Sequence, residues 1–311
     1  MPVLRLDPTD VHDNEFTDDL GGYYKVSPMA RWCVWTDATV MLVKWYSTIA
    51  LAYGDLAVRI NGALYGSLQP TAQDDYNSAQ IDLPAGRKRV EIVAGMHDGP
   101  TVLGAFPVMA YFAGGTICQV IDATAENRLI IYGDSIAVGA AAAVPPAQGW
   151  GALLREVWPG NVMWIGRGGL TFKDNNQDAT ARATFTARVE ALNPAVLWMA
   201  LGTNDYGYNY WTAAAFGTAY ADLIDRLHTA LPDLAVYAQS PIPRDVETAN
   251  AGGSTLGDYR AAVAAACTGR AWCTFVDGTQ IVSVSDTSDG THPTTAGHAK
   301  FVAYVLGVIG L

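Results

Sequence analysis

The sequence predicts two units in series: a β-sandwich over residues 1–124 and a three-layer α/β domain with a parallel sheet over 125–311. Three observations carry this. The first stretch reads as short strands with regular turn signals and no convincing amphipathic helix. The second alternates buried apolar strands with helices, the pattern of a parallel sheet covered on both faces. The change falls after Asp122-Ala-Thr-Ala-Glu-Asn127, with no internal repeat and no low-complexity linker.

In the first unit, strands are expected at 39–46, 57–60, 63–65, 89–93 and 108–112. Ile60-Asn61-Gly62-Ala63 predicts a tight hairpin, because Asn-Gly takes up the positive φ angles of a type I′ turn. Leu83-Pro84-Ala85-Gly86 marks a further turn before the 89–93 strand. Trp32, Trp35 and Trp45 fall in strands and read as core.

In the second unit the expected order is strand 128–133, helix 149–157, strand 161–166, helix 180–192 and strand 195–201. Helix 212–230, strand 234–240, helix 255–267, strand 272–276 and helix 294–308 follow. Within 212–230, Phe216, Tyr220, Leu223, Ile224 and Leu227 recur at three- and four-residue steps and form one apolar face, which Leu231 extends.

Composition bounds the function. The 311 residues are 50% hydrophobic, enough for substantial cores. A net charge of −11, with only 19 Lys and Arg, leaves no basic patch for nucleic acid. No cationic amphipathic stretch suggests a membrane surface, and no apolar run reaches the ~18 residues of a span. The N-terminus has neither a basic n-region nor an apolar h-region, so no signal peptide is expected; a secreted origin stays open if a leader has been removed. Oligomeric state has no signature here. Cys33, Cys118, Cys267 and Cys273 fit free structural thiols better than disulfides in a chain of this size. They lack metal-ligand spacing, and no His-Glu-x-x-His pattern occurs, so neither metal nor cofactor is expected.

Ligands of an open parallel sheet sit beyond the carboxyl ends of its strands, and four features converge there. Gly133-Asp134-Ser135 follows the first strand, Gly166-Arg-Gly168-Gly169-Leu-Thr171 the second, and Gly202-Thr-Asn204-Asp205 the third. Asp289-Gly-Thr-His292-Pro293 precedes the last helix. Ser135, near an expected helix start, can offer its Oγ as a nucleophile once a base takes the proton. His292 is that candidate base, with Asp289 as its orienting carboxylate, while Asp286 also precedes it. The Ser135 N–H, the N–H of Gly169 or Gly168, and the Asn204 amide can stabilise an oxyanion. Asp134 and Asp205 read as structural. His12, His97, His228 and His298 are poor base candidates; the last two lie on helices and read as exposed or partly packed. Gly-x-Ser-x-Gly is absent around Ser135, so the nucleophile elbow of α/β-hydrolases is the wrong template.

These four blocks, in this order over residues 127–311, resemble those of the SGNH (GDSL-type) hydrolase superfamily. The resemblance implies a flavodoxin-like α/β domain, here preceded by a jelly-roll-like sandwich as a candidate carbohydrate-binding or accessory domain. It implies a catalytic Ser135, His292 and Asp289, with Ser135, Gly169 and Asn204 forming the oxyanion hole; Gly169 is favoured over Gly168 because it stands two residues before Thr171. A sandwich fused to such a domain resembles carbohydrate esterases. The substrate expected from that architecture is a small acyl ester or acetylated carbohydrate, with lipase, lysophospholipase or thioesterase activity as the alternative. A non-catalytic glycan-binding or structural protein is the alternative of another class. Tyr206, Tyr208, Tyr210 and Trp211, in an aromatic segment read as a loop, and Arg244 after the fourth strand are candidate substrate contacts.

Overall fold

A computed structural model describes residues 3–5, 16–17, 25–26, 31–47, 56–69, 71, 75–93, 105–113, 115, 117–119 and 127–311. The boundary at 124, His12, His97 and the side chains of Trp32 and Cys118 lie outside the described residues. The first part contains β1 (Val3–Arg5), β2 (Phe16–Thr17), β3 (Lys25–Val26), β4 (Arg31–Thr36), β5 (Val40–Ser47) and β6 (Leu56–Ile60). β7 (Ala63–Leu68), β8 (Asp75–Asp82), β9 (Lys88–Val93), β10 (Ala105–Ala113) and β11 (Ile117–Gln119) complete it.

Nine of these strands build two antiparallel sheets, ordered β1-β10-β5-β8 and β11-β4-β9-β6-β7, and β2 and β3 pair with each other in a separate two-stranded antiparallel sheet. Along β5, Met41, Val43 and Trp45 point inward while Leu42 and Lys44 face solvent. They meet Val34, Val58, Val90 and Ile92 of the other sheet in one shared core, as a sandwich requires. The Asn-Gly hairpin forms as expected, with φ of 52° at Asn61 and 84° at Gly62 joining β6 to β7. Trp45 is core, but Trp35 is not: the residue is 37% exposed, with the Arg87 guanidinium 5.4 Å from the centre of its ring. β8 was not expected. It is an edge strand of polar sequence, so its hydrophobic alternation is weak.

The second part contains β12 (Leu129–Gly133), α1 (Pro145–Gln148), α2 (Trp150–Val157), β13 (Val162–Gly166), α3 (Phe172–Asn176) and α4 (Ala179–Leu192). β14 (Val196–Ala200), α5 (Thr203–Tyr208), α6 (Ala213–Ala230), β15 (Ala235–Gln239), α7 (Leu256–Cys267), β16 (Cys273–Val276) and α8 (Thr295–Ile309) follow. All five strands are parallel in the order β13-β12-β14-β15-β16. Renumbered within the domain this is 2-1-3-4-5, the flavodoxin-like order. Ile130 and Tyr132 face a layer with Val189, Phe216, Tyr220 and Val263 from α4, α6 and α7. Leu129 and Ile131 face the other, with Trp150 and Leu154 of α2 and Phe301 and Val305 of α8. Ala57 and Val93 of the sandwich join this second cluster, and Arg59 pairs with Glu156 at 3.2 Å near the end of α2.

Helix starts follow their capping residues: Asp178 caps α4, Thr212 α6, Thr255 with Asp258 α7, and Thr294 α8. One expected helix start is displaced. After β12 the chain runs through consecutive turns over 135–141, and the first helix begins only at Pro145. The cause lies at Gly139, where φ is +87° and a Cβ would sit 2.7 Å from Gly149 Cα. A left-handed residue stops a helix, and Pro145 and Pro146 restart it. His228 is half-buried and stacks on Trp272 with ring centroids 3.8 Å apart. His298 is fully buried rather than exposed. Cys33 is buried, and Cys267 and Cys273 are buried free thiols. Among the described residues no helix is long and apolar enough to cross a membrane.

Candidate active site

The strand order reverses around β12, so the ends of β13, β12 and β14 flank the crevice where such sheets bind ligands. Gly133 and Gly166 are register partners at the ends of β12 and β13. A Cβ on Gly166 would lie 1.9 Å from Gly133 O, so this close approach needs glycine. Ser135 stands two residues beyond β12, half-buried, in the run of turns.

His292 reaches Ser135 from across the fold, its Nε2 2.9 Å from Ser135 Oγ. A compact turn fixes the imidazole. Ser288 N–H donates to His292 O at 2.9 Å, and Asp289 Oδ1 accepts from Thr291 N–H at 2.9 Å and His292 N–H at 2.8 Å. Asp289 Oδ2 lies 2.7 Å from His292 Nδ1. One carboxylate thus closes the turn and holds the ring, which explains the Asp-x-x-His spacing. Partial burial works to raise the Asp289 carboxyl, but hydrogen bonds from the His292 ring and backbone outweigh it and hold it below the usual range. Because a carboxylate only accepts, Nδ1 carries the proton and Nε2 is left to accept from the Ser135 hydroxyl. Asp286 is turned elsewhere: it pairs with Lys300 at 2.5 Å, which with the Ser283 hydrogen bonds lowers its carboxyl to about 2.

The second and third blocks meet beside Ser135. Gly169 has φ +68°, a left-handed conformation that suits glycine, whereas Gly168 is not in that region. Asn204 lies in the first turn of α5, and its Nδ2 is 3.2 Å from Asp134 Oδ2 and 3.1 Å from Leu170 O. Asn204 therefore touches the neighbours of both Ser135 and Gly169. Asp205, fully buried, accepts from the N–H groups of Phe172 at 2.8 Å and Lys173 at 3.2 Å, clamping the start of α3 behind the Gly169 loop. Burial raises the Asp134 carboxyl to about 7 and the Asp205 carboxyl to about 6, against hydrogen bonds from backbone N–H groups.

The aromatic segment is not a loop through Tyr208 but helix α5, and it divides its side chains. Tyr206 is 6% exposed and directs its hydroxyl to Thr248 O at 2.8 Å, so it anchors the following segment rather than facing a ligand. Tyr208 and Tyr210 are exposed, with ring centroids 5.4 Å apart. The Tyr208 hydroxyl lies 3.1 Å from where a Cβ on Gly169 would stand. Trp211 is half-buried against Phe172, and Lys173 Nζ sits over the rings of Tyr210 and Trp211. Arg244 is half-buried beside α5, its guanidinium 5.7 Å from the Tyr206 ring and 3.5 Å from Thr203 O. The neighbouring Asp245 donates its N–H to Gly290 O at 2.9 Å, tying the segment that follows β15 to the histidine turn.

His298 faces the interior below the site. Its Nδ1 lies 3.4 Å from Trp150 N–H and its Nε2 3.0 Å from Ala140 O, which fixes the neutral Nε2–H tautomer. Burial lowers its pKa to about 4. Sequence reasoning missed the link of Asp134 to Asn204, the clamp at Asp205 and the tie from Asp245. Only the position of Asp134 and Asp205 inside the glycine-rich blocks hinted at them. Among the described residues no three His, Cys, Asp or Glu side chains converge as a metal site.

Residues 131–300 match the model of the GDSL-like lipase/acylhydrolase family. The fold is similar to that of a salicylyl-acyltransferase, SsfX3, from a tetracycline biosynthetic pathway: 18% identity, TM-score 0.73, 92% of this chain and 84% of that one. A family two carbohydrate esterase from Clostridium thermocellum in complex with cellohexaose gives 15% identity and TM-score 0.69 over 99% of both chains. A GDSL-like lipase described from Bacteroides ovatus gives 15% identity and TM-score 0.71, over 90% of this chain and 83% of that one. No curated protein matches the chain in sequence.

Proposed function

Since the chain belongs to the GDSL-like lipase/acylhydrolase family and is an ester-cleaving hydrolase, we propose that it removes short acyl groups, chiefly O-acetyl, from carbohydrates by a serine-centred double displacement. The observation that supports this most is the continuous hydrogen-bonded line from Ser135 Oγ through His292 to Asp289. In this reading His292 Nε2 takes the Ser135 proton as Oγ attacks the ester carbonyl. The Ser135 and Gly169 N–H groups and the Asn204 amide stabilise the oxyanion. His292 then gives its proton to the departing sugar hydroxyl, leaving acetyl on Ser135. Water, deprotonated by the same nitrogen, releases acetate and restores the serine. Asp289 stabilises the imidazolium formed in both halves.

The proposed organisation is a sandwich of residues 1–124 in an accessory role and a catalytic domain of residues 125–311. Support for a sugar substrate comes from the exposed Tyr208 and Tyr210 rings beside Gly169, which suit the apolar faces of a pyranose, and from the likeness of the whole chain to carbohydrate esterases. Trp211 and Arg244 border this surface, and Tyr206 supports it from below. Hydrolysis of p-nitrophenyl acetate by wild type but not by Ser135→Ala tests the chemistry; equal rates would exclude the serine and leave a non-catalytic role for the site. Acetate release from acetylated xylan, mannan, chitin oligomers and bacterial glycans tests the substrate. A preference for octanoyl over acetyl esters would favour a lipase instead. Tyr208→Ala and Tyr210→Ala should raise KM for an acetylated oligosaccharide and leave p-nitrophenyl acetate unaffected.

A further inference from the structure

The side-chain nitrogen of Asn204 carries two hydrogens, and both have acceptors: Asp134 Oδ2 at 3.2 Å and Leu170 O at 3.1 Å. Facing a carboxylate and a carbonyl, this end of the amide must be nitrogen rather than oxygen. An oxyanion can therefore receive an Asn204 hydrogen bond only if one of these two partners is released. The partners differ in chemistry. Exchanging the neutral Leu170 carbonyl for an oxyanion gains a charge-assisted bond, whereas exchanging the Asp134 carboxylate replaces one charged acceptor with another.

We infer that Asp134 is a positioning residue for the oxyanion site: it pins one Asn204 hydrogen and leaves the other, resting on Leu170 O, to turn to the developing oxyanion. The pin matters because the terminal torsion of an asparagine is broad and holds no orientation by itself. Asp134 suits the task. It is 1% exposed, and its second oxygen accepts the Ile136 N–H at 3.0 Å, within the turn that carries Ser135. One carboxylate thus couples the nucleophile's turn to the amide donor. Its burial raises the carboxyl to about 7, so keeping it ionised disfavours the fold near neutrality.

The inference rests on the acyl-transfer reading above, and a double-mutant cycle separates the two. Asp134→Asn keeps shape but cannot accept at both oxygens. Turnover of p-nitrophenyl acetate is measured in wild type, Asp134→Asn, Asn204→Ala and the double variant, with urea melts at pH 8. Loss of one oxyanion donor lowers turnover by about 10²–10³. The expected result is a loss of about 10² for Asp134→Asn, with KM little changed and stability at pH 8 not reduced. In the Asn204→Ala background the same change should alter turnover by less than about threefold, because the residue it positions is gone. Equal losses in both backgrounds, or full activity in Asp134→Asn, would overturn the inference and leave the reaction scheme standing. Full activity in Asn204→Ala would overturn the scheme's oxyanion assignment and the inference with it. Should Asp134→Asn not fold, the cycle is run with Asp134→Ser. Its hydroxyl can still accept from Ile136 N–H but is too short to reach Asn204.

Discussion

Asp289 serves the turn and the imidazole with different oxygens, so two substitutions there should separate stability from activity. Oδ1 accepts the N–H groups of Thr291 and His292, and Oδ2 faces His292 Nδ1. Asp289→Ala removes all three hydrogen bonds. Losing the turn contacts should cost about 1 kcal/mol of stability, as for other lost caps. Losing the bond to the imidazolium, worth about 1.5–3 kcal/mol, should lower turnover roughly 10- to 150-fold. Asp289→Asn can keep the turn by accepting with Oδ1, but its amide nitrogen then faces Nδ1. That forces the proton to Nε2, where it points at Ser135 as a donor and leaves no base. A comparable exchange in a buried serine-protease triad lowers turnover about 10⁴-fold. The Asp289 side chain is 53% exposed, so partial relaxation into solvent should limit the loss to roughly 10³. Activity should thus fall in the order wild type, Ala, Asn, while stability runs wild type and Asn above Ala. Initial rates on p-nitrophenyl acetate and urea melts of the same preparations measure both. An Asn variant as active as the Ala variant, or more so, would refute the tautomer argument.

Two further predictions concern packing and pH. Gly166→Ala places a Cβ 1.9 Å from Gly133 O, and because both groups are backbone at adjoining strand ends, it should destabilise the fold by ~3 kcal/mol, seen as a lower urea midpoint. His298 is held neutral, with its pKa lowered to about 4, while in the unfolded chain it binds a proton below about 6.5. The unfolded state therefore carries the extra proton between these values. Its contribution is complete above the unfolded value and is lost as pH falls through the window, by up to ~3 kcal/mol. His298→Gln should lose less stability than wild type between pH 7 and pH 4; an unchanged slope would contradict the assignment.

The fold was legible where periodicity is long. The apolar face of α6 runs from Phe216 to Leu227, about three turns, and β12, β13 and β14 are near-continuous apolar runs between helices, so pattern alone located them. Asp289 and His292 were also legible, since a contact within one tight turn leaves its spacing in the sequence. The phase of α5 was not. A helix of six residues is too short to set a period, so nothing in the sequence indicated that Tyr206 turns inward while Tyr208 turns out. Nor was the bond between Asp134 and Asn204, which spans 70 residues and exists only because β12 and β14 are neighbours in the sheet. The close approach of Gly139 to Gly149 escaped as well, because it is a contact of the folded backbone and leaves no periodicity in the sequence.

The central claim is that Ser135 carries the acyl group between two half-reactions, and trapping that intermediate tests it most directly. The protein is mixed with p-nitrophenyl acetate, quenched in acid during turnover, digested and mapped by mass spectrometry. The account predicts one acetyl group on the peptide containing Ser135, absent from Ser135→Ala and strongly reduced in His292→Ala. Turnover with acetyl on a different residue, or undiminished in Ser135→Ala, would contradict it.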